Sequence, residues 1–487
     1  MLVVLLVIVV ILALLAGVHW YVWRRLVRDT TVRGSALRRA GTVAVVVLPL
    51  LSVGALTSGR AGAPFLLQQI LAWPGYLWLA VLLYLTLALV VAEAVRPLLR
   101  RVLERKADTR SVTGRLATPA GAVAEAATGG TGVRGAAVTA AGHAGTSGSS
   151  GAHGSSGAPG SVAVDDGPDA AVRQGGSLAT ADAPGADALA ADGVAEASVS
   201  VPGGERPEAA AGELSRRLFV ARAAGGAAAA VAAGTVGYGT YGVMRGPRVK
   251  KVTVPLAKLA RGAHGYRIAV VSDIHLGPIL GRAHTQRIVD TINAAQPDLV
   301  AVVGDLVDGS VADLGRAAEP LAQLKARHGS YFVTGNHEYF SGADAWVDHV
   351  RELGLTPLRN DRVEIAGFDL AGVDDVAGES EGQGPDFARA LGDRDRTRAA
   401  VLLAHQPVVI HDAVRHGVDL QLSGHTHGGQ MWPGNLIADL ANPTLAGLER
   451  YGDTQLYVSR GAGAWGPPVR VGAPSDITVV ELASRQA

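Results

Sequence analysis

Five short motifs in the second half of the chain carry side chains that bind metal ions. They are Ser272-Asp273-Ile274-His275, Gly304-Asp305-Leu306-Val307-Asp308-Gly309, Gly335-Asn336-His337-Glu338, Ala404-His405-Gln406-Pro407 and Ser423-Gly424-His425-Thr426-His427-Gly428-Gly429-Gln430. The chain has no Cys, which excludes thiolate metal ligands, iron–sulfur clusters and disulfides. Oxygen and imidazole donors without thiolate suit divalent ions such as Mn, Fe or Zn.

The number of donors predicts two metal ions rather than one. Seven side chains qualify: Asp273, His275, Asp305, Asn336, His405, His425 and His427. Seven donors would overfill a single ion, whereas two ions sharing one carboxylate would each receive four. A close pair of ions suits displacement at phosphorus, with a metal-bound hydroxide as the nucleophile.

In their order, these motifs resemble the calcineurin-like metallophosphoesterase superfamily, in particular its bacterial membrane-associated or exported branch. The resemblance covers about residues 265–485. It implies an α/β fold, a four-layer α/β/β/α sandwich with two mixed sheets. It also implies one metal ion held by Asp273, His275 and His427, a second held by Asn336, His405 and His425, and Asp305 as the bridge.

The resemblance implies a catalytic role for His337, beside Asn336. The matching histidine of the family contacts the phosphate and protonates the leaving oxygen; positioning of the phosphate alone is the alternative. Asp308 and Glu338 would orient ligands or the imidazole, with capping or turn roles as the alternative.

One departure from the family bears on the substrate. Phosphoprotein phosphatases of this superfamily carry Arg after the second Asp of the Gly-Asp-x-x-Asp motif, where this chain has Gly309. We therefore do not expect a protein phosphatase. The motifs do not separate phosphomonoesters, phosphodiesters and the pyrophosphates of lipid-linked precursors, because selectivity resides in other loops.

Alternating apolar runs and helical patterns position the motifs. We predict strands at residues 266–271, 298–303, 330–333, 368–373, 400–404, 419–422, 455–458 and 477–482, and helices at residues 282–294, 313–326 and 343–353. This alternation indicates a layered α/β domain over residues 248–487. Each motif directly follows an apolar run, so the donors should converge at the carboxyl ends of strands.

The first 105 residues predict a membrane region with three transmembrane helices. Long apolar runs occupy residues 2–17, 40–56 and 73–95, and 48% of the whole chain is hydrophobic against 18% charged. Arginines cluster in the first loop and after the third run, whereas the loop between the second and third runs has only Arg60. Positive loops stay cytoplasmic, which places the N-terminus outside.

Two further segments connect this region to the α/β domain. Residues 106–214 are rich in Ala, Gly and Ser, without a persistent apolar period, and predict a disordered linker. At residues 215–247, Ser215-Arg216-Arg217 precedes a mildly apolar run and resembles a twin-arginine export signal. An ordinary fourth transmembrane helix is the alternative, and whether this segment is cleaved is open.

Together these features predict a multi-pass protein of the cell membrane with an extracytoplasmic catalytic domain. The expected reaction is hydrolysis of a phosphate mono- or diester, dependent on two divalent metal ions, and the expected substrate belongs to the envelope, as a phospholipid or lipid-linked phosphate. Membrane lipids are expected partners, and a net charge of +1 does not favour nucleic-acid binding. The alternative is a non-catalytic membrane module whose metal domain is a binding or structural unit.

Overall fold

The structure is a computed structural model that describes residues 2–116 and 208–486. Most of the predicted linker therefore lies outside the described residues. Four long helices come first in the described chain: α1 (Leu2–Val22), continued by a π-helical turn at Trp23–Arg28, α2 (Ala36–Thr57), α3 (Phe65–Leu116) and α4 (Glu208–Met244). Each has a segment long and apolar enough to cross a membrane, judged by length and composition.

The third helix is longer than the sequence predicts at both ends. Helix α3 begins at Phe65 rather than at residue 73, and it continues to Leu116, beyond the predicted end of the membrane region at residue 105. The extensions are rich in Leu and Arg, which favour the helix without making it apolar throughout. Hydropathy therefore locates the membrane-crossing part but not the helix ends.

Small residues bring α2 and α3 into close contact. A Cβ added at Gly75 would lie 2.5 Å from the carbonyl oxygen of Leu51. The Ser52 hydroxyl donates a hydrogen bond to the carbonyl of Gly75 at 2.7 Å. Small residues and interhelical hydrogen bonds are the usual means by which membrane helices pack. The two helices thus form a tight hairpin, joined by the short loop of residues 58–64.

Two six-stranded mixed sheets form the rest of the described chain. The first contains β1 (Arg248–Leu256), β2 (Tyr266–Val271), β3 (Leu299–Val303), β4 (Ser330–Val333), β5 (Thr356–Pro357) and β12 (Asp476–Ser484), in the order β1-β12-β2-β3-β4-β5. The second contains β6 (Asp361–Ile365), β7 (Phe368–Gly372), β8 (Ala399–Leu403), β9 (Leu420–Ser423), β10 (Gly447–Tyr451) and β11 (Thr454–Val458), in the order β10-β11-β9-β8-β7-β6. Strands β2 to β5 are parallel to one another, as are β7, β8, β9 and β11.

Helices cover the outer faces of both sheets. Helices α5 (Arg282–Ala295), α6 (Val311–Ala318) and α8 (Ala343–Glu352) pack on the first sheet, and α9 (Phe387–Leu391) and α10 (Ile410–Arg415) pack on the second. The inner faces meet in a core that includes Ile268, Val401 and Tyr457. Two short helices, α7 (Asn336–Ser341) and α11 (Gly434–Ala441), complete the set. The predicted four-layer α/β/β/α sandwich is confirmed.

The strand predictions are accurate in the core and fail at the edges. Strands β2 and β4 have the predicted bounds, and the other predicted strands differ by one or two residues at their ends. Strands β1, β5, β6 and β10 were not predicted, and each lies at a sheet edge. Strand β5 has only two residues, and β1, β6 and β10 carry exposed charged residues. The helix predicted for residues 313–326 ends at Ala318 and gives way to a 3-10 turn that contains Pro320.

Two isoleucines test the contribution of the helix α5 layer. Ile292 is fully buried between α5 and the first sheet, whereas Ile437 on α11 is 73% exposed. We expect Ile292→Ala to destabilise the domain by about 2–5 kcal/mol and Ile437→Ala by less than about 0.5 kcal/mol. Thermal unfolding of the detergent-solubilised full chain measures both. Equal shifts in the melting temperature would contradict this packing.

Candidate metal centre

The strand order brings all five motifs to one edge of the sandwich. Asp273 and Asp305 follow β2 and β3, and Asn336 opens α7 just after β4. From the second sheet, His405 follows β8 and His425 follows β9. These strands are parallel within each sheet, so their carboxyl ends supply a common crevice.

Three of the predicted ligands form a first cluster. The donor atoms of Asp273, His275 and His427 all lie within 4.8 Å of one another. His275 Nε2 is 3.0 Å from His427 Nε2, and His427 Nε2 is 3.4 Å from Asp273 Oδ1. The three side chains are buried. Such a set of one carboxylate and two imidazoles is able to bind a metal ion.

A second cluster joins the first through Asp305. The donor atoms of Asp305, His405 and His425 also lie within 4.8 Å of one another. Asp305 Oδ2 is 3.2 Å from His405 Nε2 and 3.7 Å from His275 Nε2, which belongs to the first cluster. His425 Nδ1 lies 3.0 Å from the side-chain oxygen of Asn336. The structure thus brings all seven predicted side chains together, with Asp305 between the two groups.

Hydrogen bonds at the far side of two imidazoles leave lone pairs directed inward. His275 Nδ1 donates to Asp308 at 2.9 Å, and His405 Nδ1 donates to the carbonyl of Val303 at 2.9 Å. In the neutral form of each imidazole, Nε2 therefore carries a lone pair. His405 Nε2 is buried without a hydrogen-bond partner among the described residues, although it faces the carboxylate of Asp305. Lone pairs that face one another in a buried site fit a shared cation.

His427 differs from His275 and His405, because its Nδ1 faces a cationic donor rather than an acceptor. The guanidinium of Arg470 donates to His427 Nδ1 at 3.0 Å, and this places the imidazole proton on Nε2. Binding of a metal at Nε2 would move that proton to Nδ1. Arg470 also donates to the carbonyls of His427, Gly463 and Ala473. These acceptors can hold the guanidinium when Nδ1 becomes a donor.

The pKa shifts describe an excess of negative charge that the histidines balance. Burial alone would lower the pKa of His275, but Asp308 and the other nearby carboxylates raise it to about 9. Burial, with a further contribution from His405, lowers the pKa of His425 to about 4. Burial would raise the pKa of Asp308, but His275 and His337 lower it to about 2. Within the protein, proton charge on some imidazoles compensates for the carboxylates, a role that metal cations can take over.

Most of the donor residues have a backbone conformation that residues other than glycine rarely adopt. Five of them have positive φ between 49° and 73°: Asp273, His275, Asp305, His425 and His427. Non-glycine residues adopt this left-handed region rarely, and each costs about 1–3 kcal/mol. Strain of this kind persists only where surrounding contacts impose it. The loops are therefore held in place by the rest of the site rather than by their own preference.

Glu338 supplies much of that constraint. Its carboxylate accepts hydrogen bonds from the backbone N–H groups of Asp305, Leu306 and Gly335, at 2.9, 2.7 and 2.6 Å. One buried side chain thus ties the loop after β3 to the loop after β4. The sequence left Glu338 between an orienting and a capping role, and its contacts combine the two.

His337 lies at the mouth of the site, next to Asp308. Its Nδ1 is 2.7 Å from Asp308 Oδ1, the same oxygen that binds His275. The imidazole makes edge contacts with the rings of Phe340 and Trp465, at centroid distances of 5.5 and 5.8 Å. With Nδ1 engaged, Nε2 is the nitrogen left to face a bound ligand.

A cavity of about 540 Å³ opens beside this centre. His275, Asp308, His337 and Trp465 line it on the side of the α/β domain. Residues 55–68 of the α2–α3 hairpin contribute most of the opposite wall. The loop that contains Trp465 belongs to this lining. The sequence did not reveal the contribution of the hairpin or of Arg470, since neither belongs to a motif.

Comparison with known proteins agrees with this geometry. A family model described as Calcineurin-like phosphoesterase matches residues 266–429, which include all the donor residues. The Danio rerio protein named "Transmembrane protein with metallophosphoesterase domain" is 39% identical over 259 residues, which cover 50% of this chain and 59% of that protein. An "Uncharacterized metallophosphoesterase" of Helicobacter pylori is 38% identical over 247 residues, or 50% of this chain and 66% of that protein. The chain thus matches less than two thirds of either relative.

A shorter relative is matched over nearly its whole length. The "Uncharacterized metallophosphoesterase" of Aquifex aeolicus is 35% identical over 240 residues, which cover 48% of this chain and 91% of that protein. Similarity of this extent, together with the sandwich fold and the two linked donor clusters, establishes the family. The chain belongs to the calcineurin-like metallophosphoesterases, a family of metal-dependent phosphoester hydrolases.

Proposed function

We propose that the protein hydrolyses a phosphate mono- or diester with two divalent metal ions. The observation that carries the proposal is the pair of donor clusters linked through Asp305. Asp273, His275 and His427 would hold one ion, Asn336, His405 and His425 the other, and Asp305 would bridge them. When bound, such ions polarise the phosphoryl oxygens and lower the pKa of a coordinated water.

The protein would contribute orientation and proton transfer. Asp305 is held through Oδ1, which accepts a hydrogen bond from the backbone N–H of His337 at 2.9 Å, and this leaves Oδ2 for the ions. Asp308 fixes the imidazole of His337 through Nδ1. His337 would then donate a proton from Nε2 to the leaving oxygen, while Asp308 stabilises the charged imidazole. Asp308 would thus be a positioning residue.

We also propose that the α/β domain is extracytoplasmic and that α4 is a retained fourth span. Two contacts link the Arg-rich segment after α1 to the other long helices. Arg25 pairs with Glu93 of α3 at 2.9 Å, and Arg222 of α4 donates to the carbonyl of Thr30 at 3.0 Å. The α2–α3 loop lies instead beside the catalytic cavity. The positive-inside rule assigns this Arg-rich segment to the cytoplasm. The α2–α3 loop and the cavity beside it then lie on the opposite side of the membrane.

Packing of α4 supports its retention rather than cleavage after a twin-arginine-like signal. Ala228, Ala232 and Val236 of α4 are buried against Val22 and Trp78 of the other long helices. Cleavage within this buried stretch of α4 would remove part of this contact. An envelope substrate, such as a phospholipid or a lipid-linked phosphate, follows from this location.

Replacement of the bridging carboxylate tests the enzyme assignment. We expect the full-length protein to hydrolyse bis-p-nitrophenyl phosphate with added Mn²⁺, and Asp305→Asn to lower the rate at least about 100-fold, because one charged link between the clusters is lost. Release of p-nitrophenol measures both. Equal rates in the two proteins would defeat the proposal and favour a non-catalytic module.

A pair of glycines tests the steric fit around Asp305. A Cβ at Gly335 would lie 2.3 Å from Asp305 Oδ1, whereas a Cβ at Gly281 would meet nothing within 4 Å. Both glycines precede helices and have φ near −110° (−109° and −113°), which alanine adopts readily. We expect Gly335→Ala to weaken Mn²⁺ binding by about 10–100-fold and Gly281→Ala to leave it unchanged. Isothermal titration calorimetry measures both; comparable affinities would refute the assigned geometry.

A reporter tests the proposed orientation. We expect alkaline phosphatase fused after Ala487 to be active, since this enzyme matures only outside the cytoplasm. We also expect the fusion protein to have its full length on a denaturing gel. A matched fusion in the loop near Gly34 should be inactive. Activity of the second fusion alone would reverse the topology, and a shortened C-terminal product would show that α4 is cleaved.

A further inference from the structure

The α2–α3 hairpin is fixed to the catalytic domain. Phe65, the first residue of α3, packs against the buried cluster of the first sheet and its helices. Further along α3, the hydroxyl of Tyr84 donates to the carbonyl of Trp432 at 2.9 Å. Val469 of the catalytic domain is buried in the same cluster as Trp78. The loop of residues 58–64 is therefore held beside the metal centre rather than loosely near it.

Arg60 at the tip of this hairpin faces a cavity that otherwise lacks fixed positive charge. Among the described residues that line the cavity, Arg60 is the one Arg or Lys side chain, and Asp308 and Asp313 line it as well. Arg60 is exposed and forms no hydrogen bond or ion pair with the described part of the chain. Its guanidinium is therefore available for an anionic ligand. The Arg that phosphoprotein phosphatases of this superfamily carry after the second Asp is replaced by Gly309, which also lines the cavity.

Exposed apolar side chains line the cavity on both sides. On the hairpin, Leu56 of α2 is 44% exposed, and on the α/β domain Phe340 is 66% exposed and Trp465 is 53% exposed. The rings of Phe340 and Trp465 contact His337, so apolar surface adjoins the groups that would face a phosphate. The cavity thus suits a ligand that combines a phosphate group with hydrocarbon.

We propose that the α2–α3 hairpin is the substrate-binding wall of the active site and that the substrate is a phosphoester anchored in the membrane. Arg60 binds an anionic group of the substrate, and Leu56, with the aromatic rings of Phe340 and Trp465 that line the same cavity, contacts its apolar chain. This inference rests on the proposed phosphoesterase function. It assigns specificity to a membrane segment, outside the metallophosphoesterase domain.

Two synthetic diesters with the same leaving group provide the test. Methyl p-nitrophenyl phosphate and hexadecyl p-nitrophenyl phosphate differ only in the alkyl chain, and hydrolysis of either with one water releases p-nitrophenol and the alkyl phosphate. We expect the full-length protein in detergent micelles to hydrolyse the hexadecyl ester with a kcat/KM at least about tenfold higher. Equal values for the two esters would overturn the assignment of an anchored substrate.

Variants of the hairpin locate the source of this preference. We expect Arg60→Gln to raise KM about tenfold while kcat stays within about twofold, since a charge-assisted contact is lost, and Arg60→Lys to recover part of the loss. Arg33→Gln, an exposed arginine of the other helix-connecting loop, is the matched control. Leu56→Ala should reduce the preference for the hexadecyl ester, whereas Leu50→Ala, also exposed on α2, should not.

Failure of this proposal differs from failure of the proposed function. If Asp305→Asn hydrolyses both esters as fast as the unmodified protein, the phosphoesterase function itself is wrong. If hydrolysis depends on Asp305 but Arg60→Gln and Leu56→Ala match their controls, the hairpin does not bind substrate. A loss of kcat rather than KM in Arg60→Gln would also contradict the binding role.

Discussion

The central constraint in this protein is the concentration of buried electron pairs around Asp305. Carboxylate oxygens and imidazole nitrogens from both sheets meet within a few ångströms, at distances of 3.0 to 3.7 Å. Such an arrangement is costly in a low-dielectric interior unless positive charge lies between the groups. The carboxylate-raised pKa of His275 shows how strongly the site favours a cation. Under the proposed function, two metal ions would satisfy the same demand and supply the catalytic charge.

The remainder of the site can be understood as the means of holding these groups together. Five donor residues have left-handed backbone conformations, and glycines at positions 304, 335 and 424 lie where a Cβ would collide with the donors or their neighbours. Glu338 compensates by binding three backbone N–H groups from two loops. The sheets beneath supply the rigidity, since their core strands are fully buried. Local strain at the metal centre is therefore supported by the packed sandwich.

The membrane helices do more than attach this centre to a bilayer. The α2–α3 hairpin forms a wall of the cavity, and its aromatic residues hold it against the domain. A soluble relative with the same motifs would need another element to close that side. If the substrate is anchored in the membrane, as we propose, the position of the cavity at this hairpin gives a physical reason for joining the two parts in one chain.

The sequence alone determined the chemistry and most of the framework. Donor types and the apolar runs before them predicted a layered α/β domain and the convergence of the seven side chains, because strand ends and metal preferences are local properties of the chain. The order of the motifs predicted the family, and that resemblance implied the two-sheet sandwich. Tertiary structure alone decided what depends on contacts between distant segments. The partners of Glu338, the place of Arg470 behind His427, the edge strands and the approach of Arg60 to the cavity all arise from packing across long sequence separations, for which no local pattern exists.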